Sequence, residues 1–302
     1  MMETTAIAAG IAGGAYAMVS AALGHRFTRS ARQAVACPRR RSPAHLVVEI
    51  PSRRDAVALS AWYIPSIGSR AAAILVHGRG SSKGFELEAD TQPLVLALND
   101  MGVSVLTIDL RGHGESATGR VSFGHHERLD VLGAVDWLLA SGYERTRIAV
   151  IGASMGGAAA LAAAAEEPAI GAVVTDCTFA DFGRIARRHF HQALPLGAGN
   201  VLLPGTLLAA RMLLGTFMHQ FRPAEYAARL RGRPVMVIHT SGDPVIPLDH
   251  AFELQVAADA RLWIIDDDAH VGGFRADPAR YTARVCAFLS EPLLGERRRV
   301  AR

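Results

Sequence analysis

The chain has 302 residues, half of them apolar, which is enough for one large domain with a sizeable core and too short for two of that size. Its formal net charge is +4, and Lys83 is its only lysine, so arginine carries the positive balance. Arginines gather at residues 39–41 and 297–302, but without interleaved aromatics or a nucleic-acid motif, so they read as solvated tails and nucleic acid is excluded as a partner. Cys37, Cys177 and Cys286 are widely spaced and odd in number, which gives neither a zinc-type pair nor a disulfide framework and points to a reducing compartment.

In chain order, residues 4–24 come first (TTAIAAGIAGGAYAMVSAALG): uncharged, mostly Ala and Gly, and about as long as the roughly twenty residues of a membrane span. Only Glu3 is charged before this run, whereas Arg26, Arg29, Arg32 and residues 39–41 follow it, the reverse of a cleavable signal peptide. The expectation is therefore a segment 1–44 made of a membrane anchor and a basic linker, with the following domain held on the cytoplasmic side of the inner membrane. The alternative is an amphipathic or buried N-terminal helix on a soluble cytoplasmic protein, which Gly10, Gly13 and Gly14 disfavour.

Residues 45–50 (HLVVEI) and 57–64 (VALSAWYI) read as two strands of an antiparallel opening hairpin. From residue 71 short, fully apolar runs alternate with longer Ala-rich segments, as parallel strands buried on both faces alternate with covering helices. The runs are AAAILVH (71–77), VSVLTID (103–109), RIAVIG (147–152), AVVTD (172–176), PVMVIHT (234–240) and RLWIID (261–266), which makes eight strands with the hairpin. Helices are expected at 84–99, 126–141, 155–166, 248–257 and 278–289. The stretch 184–230 is too long for a simple crossover; rich in Leu, Ala and Met, it reads as a helical lid inserted over the sheet, within a domain spanning 45–290 and followed by a basic tail at 291–302.

The sequence Gly152-Ala153-Ser154-Met155-Gly156 directly follows one of the apolar strands and directly precedes an Ala-rich helix, the setting in which G-x-S-x-G marks a nucleophile on a sharp turn. A serine hydroxyl is a poor nucleophile unless a base lies within hydrogen-bond reach and a third group holds that base in the right tautomer. His270, after the last strand, and Asp243, in the loop after the preceding one, are the candidate base and acid; Asp176, which also ends a strand, is the alternative acid. The backbone N–H groups of Met155 and of Arg79, in the loop HGRGS, are the candidate oxyanion donors. His113 precedes the serine in sequence and is disfavoured as the base. His125–His126 and His189-x-His191 lack a carboxylate or Cys at ligand spacing, so no metal site is expected.

Together HGRGSS, DLRGHGES, GASMGG, HTSGDPVIP and DDAHVGGFRADPARYTARVCAFL stand in an order that resembles the α/β-hydrolase superfamily, and within it the bacterial hydrolases related to serine peptidases of the prolyl-oligopeptidase type. Thr240 departs from that pattern where the acid loop usually carries glycine, with the register at Asp243 intact. The resemblance implies an α/β-hydrolase fold with a mostly parallel eight-stranded sheet, a Ser–Asp–His triad, no cofactor, and hydrolysis of an ester, thioester or amide. The leading expectation is an esterase acting on a small-molecule ester or acyl substrate. A serine peptidase or amidase, an acyltransferase on the same triad, and a non-catalytic binding protein on a hydrolase fold are the alternatives.

Overall fold

The computed structural model describes residues 2–30, 45–87, 89–194 and 197–295, with side chains from residue 11 onward; the basic linker from residue 31 and the tail from residue 296 lie outside the described residues. Helix α1 (Met2–Thr28) is followed by β1 (Leu46–Pro51), β2 (Ala58–Ile64), β3 (Ala72–Val76), α2 (Gln92–Asp100), β4 (Ser104–Ile108), α3 (Glu127–Ala140), β5 (Ile148–Ala153), α4 (Met155–Glu166) and β6 (Ile170–Asp176). An insertion of α5 (Phe182–Ala193), α6 (Ala198–Leu214), a short 3-10 turn and α7 (Pro223–Ala228) leads to β7 (Val235–Thr240), α8 (Asp249–Ala258), β8 (Arg261–Ile265), α9 (Gly273–Ala276) and α10 (Pro278–Leu294). The strands form one sheet in the order β1-β2-β4-β3-β5-β6-β7-β8, in which β2 runs antiparallel to both neighbours and β3 through β8 run parallel.

Alternation explains the apolar runs. Ala72, Ile74 and Val76 of β3 face a core shared with α3, α4, α7 and α8, while Ala73 and Leu75 face a second core beneath α2 and α10. Both faces are covered, so every residue of β3, β4, β5, β6 and β7 is buried. This layering leaves the carboxyl ends of the parallel strands as the open edge on which a site can be assembled.

Two expectations are corrected. The helix expected from residue 84 starts at Gln92, because Gly84 turns with a φ of 85° and Glu86 is buried, accepting from Gly84 N–H at 2.9 Å and from Thr91 Oγ1 at 2.6 Å. Burial drives that Glu86 carboxyl up to about 7. The second correction concerns residues 4–24: among the described residues no helix is long and apolar enough to cross a membrane. Alanine and glycine make α1 long without making it very apolar. It packs along α6: Gly24 lies where a Cβ would stand 2.7 Å from Ala209 Cβ, and Tyr16 Oη donates to Val201 O at 3.0 Å while accepting from Gly205 N–H at 3.1 Å. The close approach is made by Gly24, whereas Gly13 and Gly14, which disfavoured a packed helix, have open space where a Cβ would stand.

Candidate active site

Ser154 sits between β5 and α4 with φ 50° and ψ −114°, a backbone conformation that costs about 1–3 kcal/mol for a residue with a side chain. Sterics hold it there. A Cβ on Gly152 would come within 2.5 Å of Gly156 O, and one on Gly156 would collide with the Val76 and His77 carbonyls, so the strand and helix close only over glycine. Ser154 N–H donates to Asp176 O at 2.7 Å, fixing the turn to the end of the neighbouring strand. Met155 N–H is the first in α4, where helical N–H groups have no partner within the helix.

His270 follows β8 and donates from Nδ1 to Asp243 Oδ2 at 2.7 Å. Asp243 Oδ1 accepts from the N–H groups of Val245 (2.8 Å) and Ile246 (2.9 Å). Burial opposes the ionised carboxyl, but the hydrogen bond and charge of His270, with the N–H groups of Ile246 and Val245, outweigh it and hold Asp243 below the usual carboxylate range. His239 braces the same loop, its Nε2 lying 3.0 Å from Ile246 O. Asp176, the alternative acid, is engaged elsewhere: Tyr281 Oη donates to its Oδ2 at 2.9 Å, and burial raises its pKa. The geometry thus brings Asp243 to His270 and leaves Asp176 beneath the sheet edge.

Ser154 and His270 line one cavity of about 210 Å³, together with Arg79, Met155, His189 and the apolar side chains of Phe123, Phe179, Ile185, Val245 and Ile246. The Ser154 hydroxyl has no hydrogen-bond partner among the described residues, and neither the Met155 nor the Arg79 N–H is used by a backbone acceptor there. Of the insertion, α5 supplies the cavity wall through Ile185 and His189, whereas α6 lies against α1.

The loop carrying Arg79 is held by residues that sequence reasoning missed. His77 is fully buried, with Nδ1 2.7 Å from Gly78 O and Nε2 accepting from Leu110 N–H at 3.0 Å, which fixes a neutral tautomer. Lys83 is also fully buried: its Nζ donates to Asp109 Oδ2 (2.6 Å), Glu115 Oε2 (2.7 Å) and Ser60 Oγ (3.0 Å), while Asp109 Oδ1 accepts from Lys83 N–H at 2.8 Å. A lone lysine, directly after the HGRGSS loop, was the available signal. The Arg79 guanidinium lies 5.0 Å from the Phe123 ring centroid and donates to Phe27 O, in the last turn of α1, at 3.1 Å.

The remaining histidines stay apart from the chemistry. His113 is buried beside His77, with ring centroids 4.9 Å apart and its Nδ1 3.0 Å from Arg111 O. His125 Nε2 pairs with Thr216 Oγ1 at 3.1 Å. Among the described residues one trio has the spacing to hold a metal, namely Cys177, Asp243 and His270, with ligating atoms within 4.8 Å of one another. Burial pushes the Cys177 thiol up, so it stays protonated, and its sulfur accepts from Val271 N–H at 3.3 Å. That donor set suits a hydrogen-bonded His–Asp pair better than a cation.

Residues 73–284 match the model of the alpha/beta hydrolase family. The chain belongs to that family. Among curated relatives of this α/β hydrolase, the Escherichia coli O157:H7 protein YfhR is 28% identical over 230 residues, 73% of this chain and 72% of its own. The Mycobacterium tuberculosis protein Rv2307c is 30% identical over 208 residues, 68% of this chain and 64% of its own. The Pyrococcus furiosus esterase Pf2001 superposes in two crystal forms with TM-scores of 0.69 and 0.67 at 24% and 26% identity, covering 87% of the present chain and 98% and 97% of its own. An acylaminoacyl peptidase from Pyrococcus horikoshii matches with a TM-score of 0.60 at 18% identity, over 83% of this hydrolase and 41% of the peptidase.

Proposed function

We propose that this α/β hydrolase cleaves a carboxylic ester of a short acyl group through an acyl-enzyme on Ser154. The observation that carries the reading is the 2.7 Å bond between His270 Nδ1 and Asp243, in a cavity that His270 shares with the strained Ser154. With Nδ1 committed to the carboxylate, Nε2 is the nitrogen left to take the Ser154 proton. Catalytic hydrogen bonds are often long before substrate is bound, so the Ser154–His270 bond forms as the ester enters. Attack then places negative charge on the carbonyl oxygen, toward the N–H groups of Met155 and Arg79. His270 returns the proton to the leaving alcohol, and water repeats the sequence on the acyl-enzyme.

The apolar walls favour an acyl chain over a charged one, and a volume of about 210 Å³ is below the range typical of sites for drug-sized ligands, which favours a short chain. The esterase activity named for the Pyrococcus furiosus neighbour agrees with this reading.

The test is turnover by the full chain of p-nitrophenyl esters from acetate to decanoate, beside a p-nitroanilide and a thioester, with Ser154→Ala in parallel. The expected result is an optimum among the short esters and a fall of at least about 10⁴-fold in Ser154→Ala. Preference for the anilide would replace the esterase reading with a peptidase. No turnover, with no labelling by a fluorophosphonate, would leave a binding protein on a hydrolase fold.

A further inference from the structure

Beside the catalytic cavity lies a second, open pocket of about 950 Å³, lined by His25, Arg26, Arg29, Ser30, Arg79, Thr118, Gly119 and Arg120. Arg79 belongs to both walls. Elsewhere Arg53, Arg111, Arg128 and Arg184 each pair with one or more carboxylates, while Arg229, Arg231 and Arg233 donate to backbone carbonyls. Among the described residues Arg26, Arg29, Arg79 and Arg120 have no carboxylate partner, and no acidic side chain lines their pocket.

Backbone pairing makes the accumulation of charge more costly. Arg29 and Arg120 stand opposite each other in an isolated antiparallel bridge, where like charges destabilise the pair. The end of α1 offsets only part of this. Arg79 donates to Phe27 O and Arg120 to Thr28 Oγ1 at 3.0 Å, and a helix C-terminus carries about half a negative charge against four guanidinium charges. Guanidinium forks of this kind match the oxygens of a phosphate group.

We propose that this pocket binds a phosphate group of the substrate, so that the ester cleaved at Ser154 belongs to a phosphate-bearing molecule. The proposal rests on the esterase reading. The ester C–O bond breaks as the Ser154 Oγ–acyl bond forms, and the phosphate remains intact as the anchor that sets which ester reaches the nucleophile. Arg79, shared by the two cavities, orients the substrate across their boundary.

The experiment compares 1-butyrylglycerol with 1-butyrylglycerol 3-phosphate, which carry the same ester with and without the anion, on the full chain. The phosphate compound is expected to have kcat/KM higher by at least about tenfold, through KM, as a charge-assisted contact would give. Inorganic phosphate should raise KM for that compound. In Arg26→Glu/Arg29→Glu the ratio of the two kcat/KM values should fall toward one, with the neutral ester reporting on the same sample how much enzyme is folded. Equal kcat/KM for the two esters in the unaltered protein, or no effect of inorganic phosphate, overturns the proposal while leaving the esterase reading intact. Failure of both esters with no fluorophosphonate labelling overturns the reading beneath it.

Discussion

Two regions of the molecule are built on different principles. On the strand-end side, the loops after β3, β4, β5, β7 and β8 are held by buried charge and by hydrogen bonds between loops: Lys83 with Asp109, Asp243 with His270, and Arg111, whose guanidinium reaches Asp130, Asp55 and Ser52. On the other side, α1 and α6 meet through small residues, and much of their apolar surface faces outward, with Ile11, Met18 and Met212 each more than two-thirds exposed. A buried ion pair tolerates little displacement, because separating it leaves a desolvated charge. A contact between small residues with exposed flanks opens at modest cost. The candidate chemistry sits where position is over-determined, and the looser contact lies between the two helices beyond it.

The largest expected effect lies on the strand-end side. Asp243→Asn keeps the shape of the loop but offers His270 the wrong hydrogen-bond partner, so turnover of a short ester should fall by roughly 10³–10⁴-fold with little change in KM. A loss under tenfold would reassign the acid. Next, Asp109→Ala removes the fully buried partner of the Lys83 ammonium and leaves it the half-exposed Glu115 carboxylate alone. Denaturant unfolding should show a loss of about 3–5 kcal/mol, and a loss below 1 kcal/mol would mean that the two loops are not clamped by that pair. The smallest effect belongs to the α1–α6 contact: Gly24→Val forces α1 away from Ala209 at a cost of about 1–3 kcal/mol, seen as faster proteolysis within α1 while the sheet's unfolding transition is kept. If the whole domain lost stability to the same extent, the two regions would be a single cooperative unit and the contrast would fail.

How much of this was legible depended on whether the cause was local. The parallel strands were, because burial on both faces writes itself as unbroken apolar runs, and so was the Ser154 elbow, because its glycines stand at fixed spacing around the serine even though Gly156 answers to the distant Val76 and His77 carbonyls. Distant partners were not. Gly84 and Glu86 lie in a stretch with helical composition, and only the ring of Trp62 and the loop around Asp109 make it a loop. Strand order favoured Asp243 over Asp176, but the Tyr281 hydroxyl that engages Asp176, 105 residues away, could not be foreseen. In the N-terminal segment, length suggested a span, while the Ala and Gly residues keep its hydropathy low and Gly24 lets α6 approach. Nothing near Arg79 in sequence announced that its side chain would be tied to Phe27.

Histidines held neutral inside the fold also fix how the molecule responds to acid. Burial, reinforced by the neighbouring His113, takes His77 down to about 3, and burial takes His125 and His250 down to about 4, with His113 and His126 lowered as well. In an unfolded chain these rings take up protons near pH 6.5, whereas the native interior refuses them until the solution is far more acidic. Their contribution to stability is complete above about pH 6.5 and drains away as the pH drops toward the folded values, each unit of difference being worth about 1.4 kcal/mol per ring. Five such rings withdraw stability from the scaffold together as the pH falls below about 6.5.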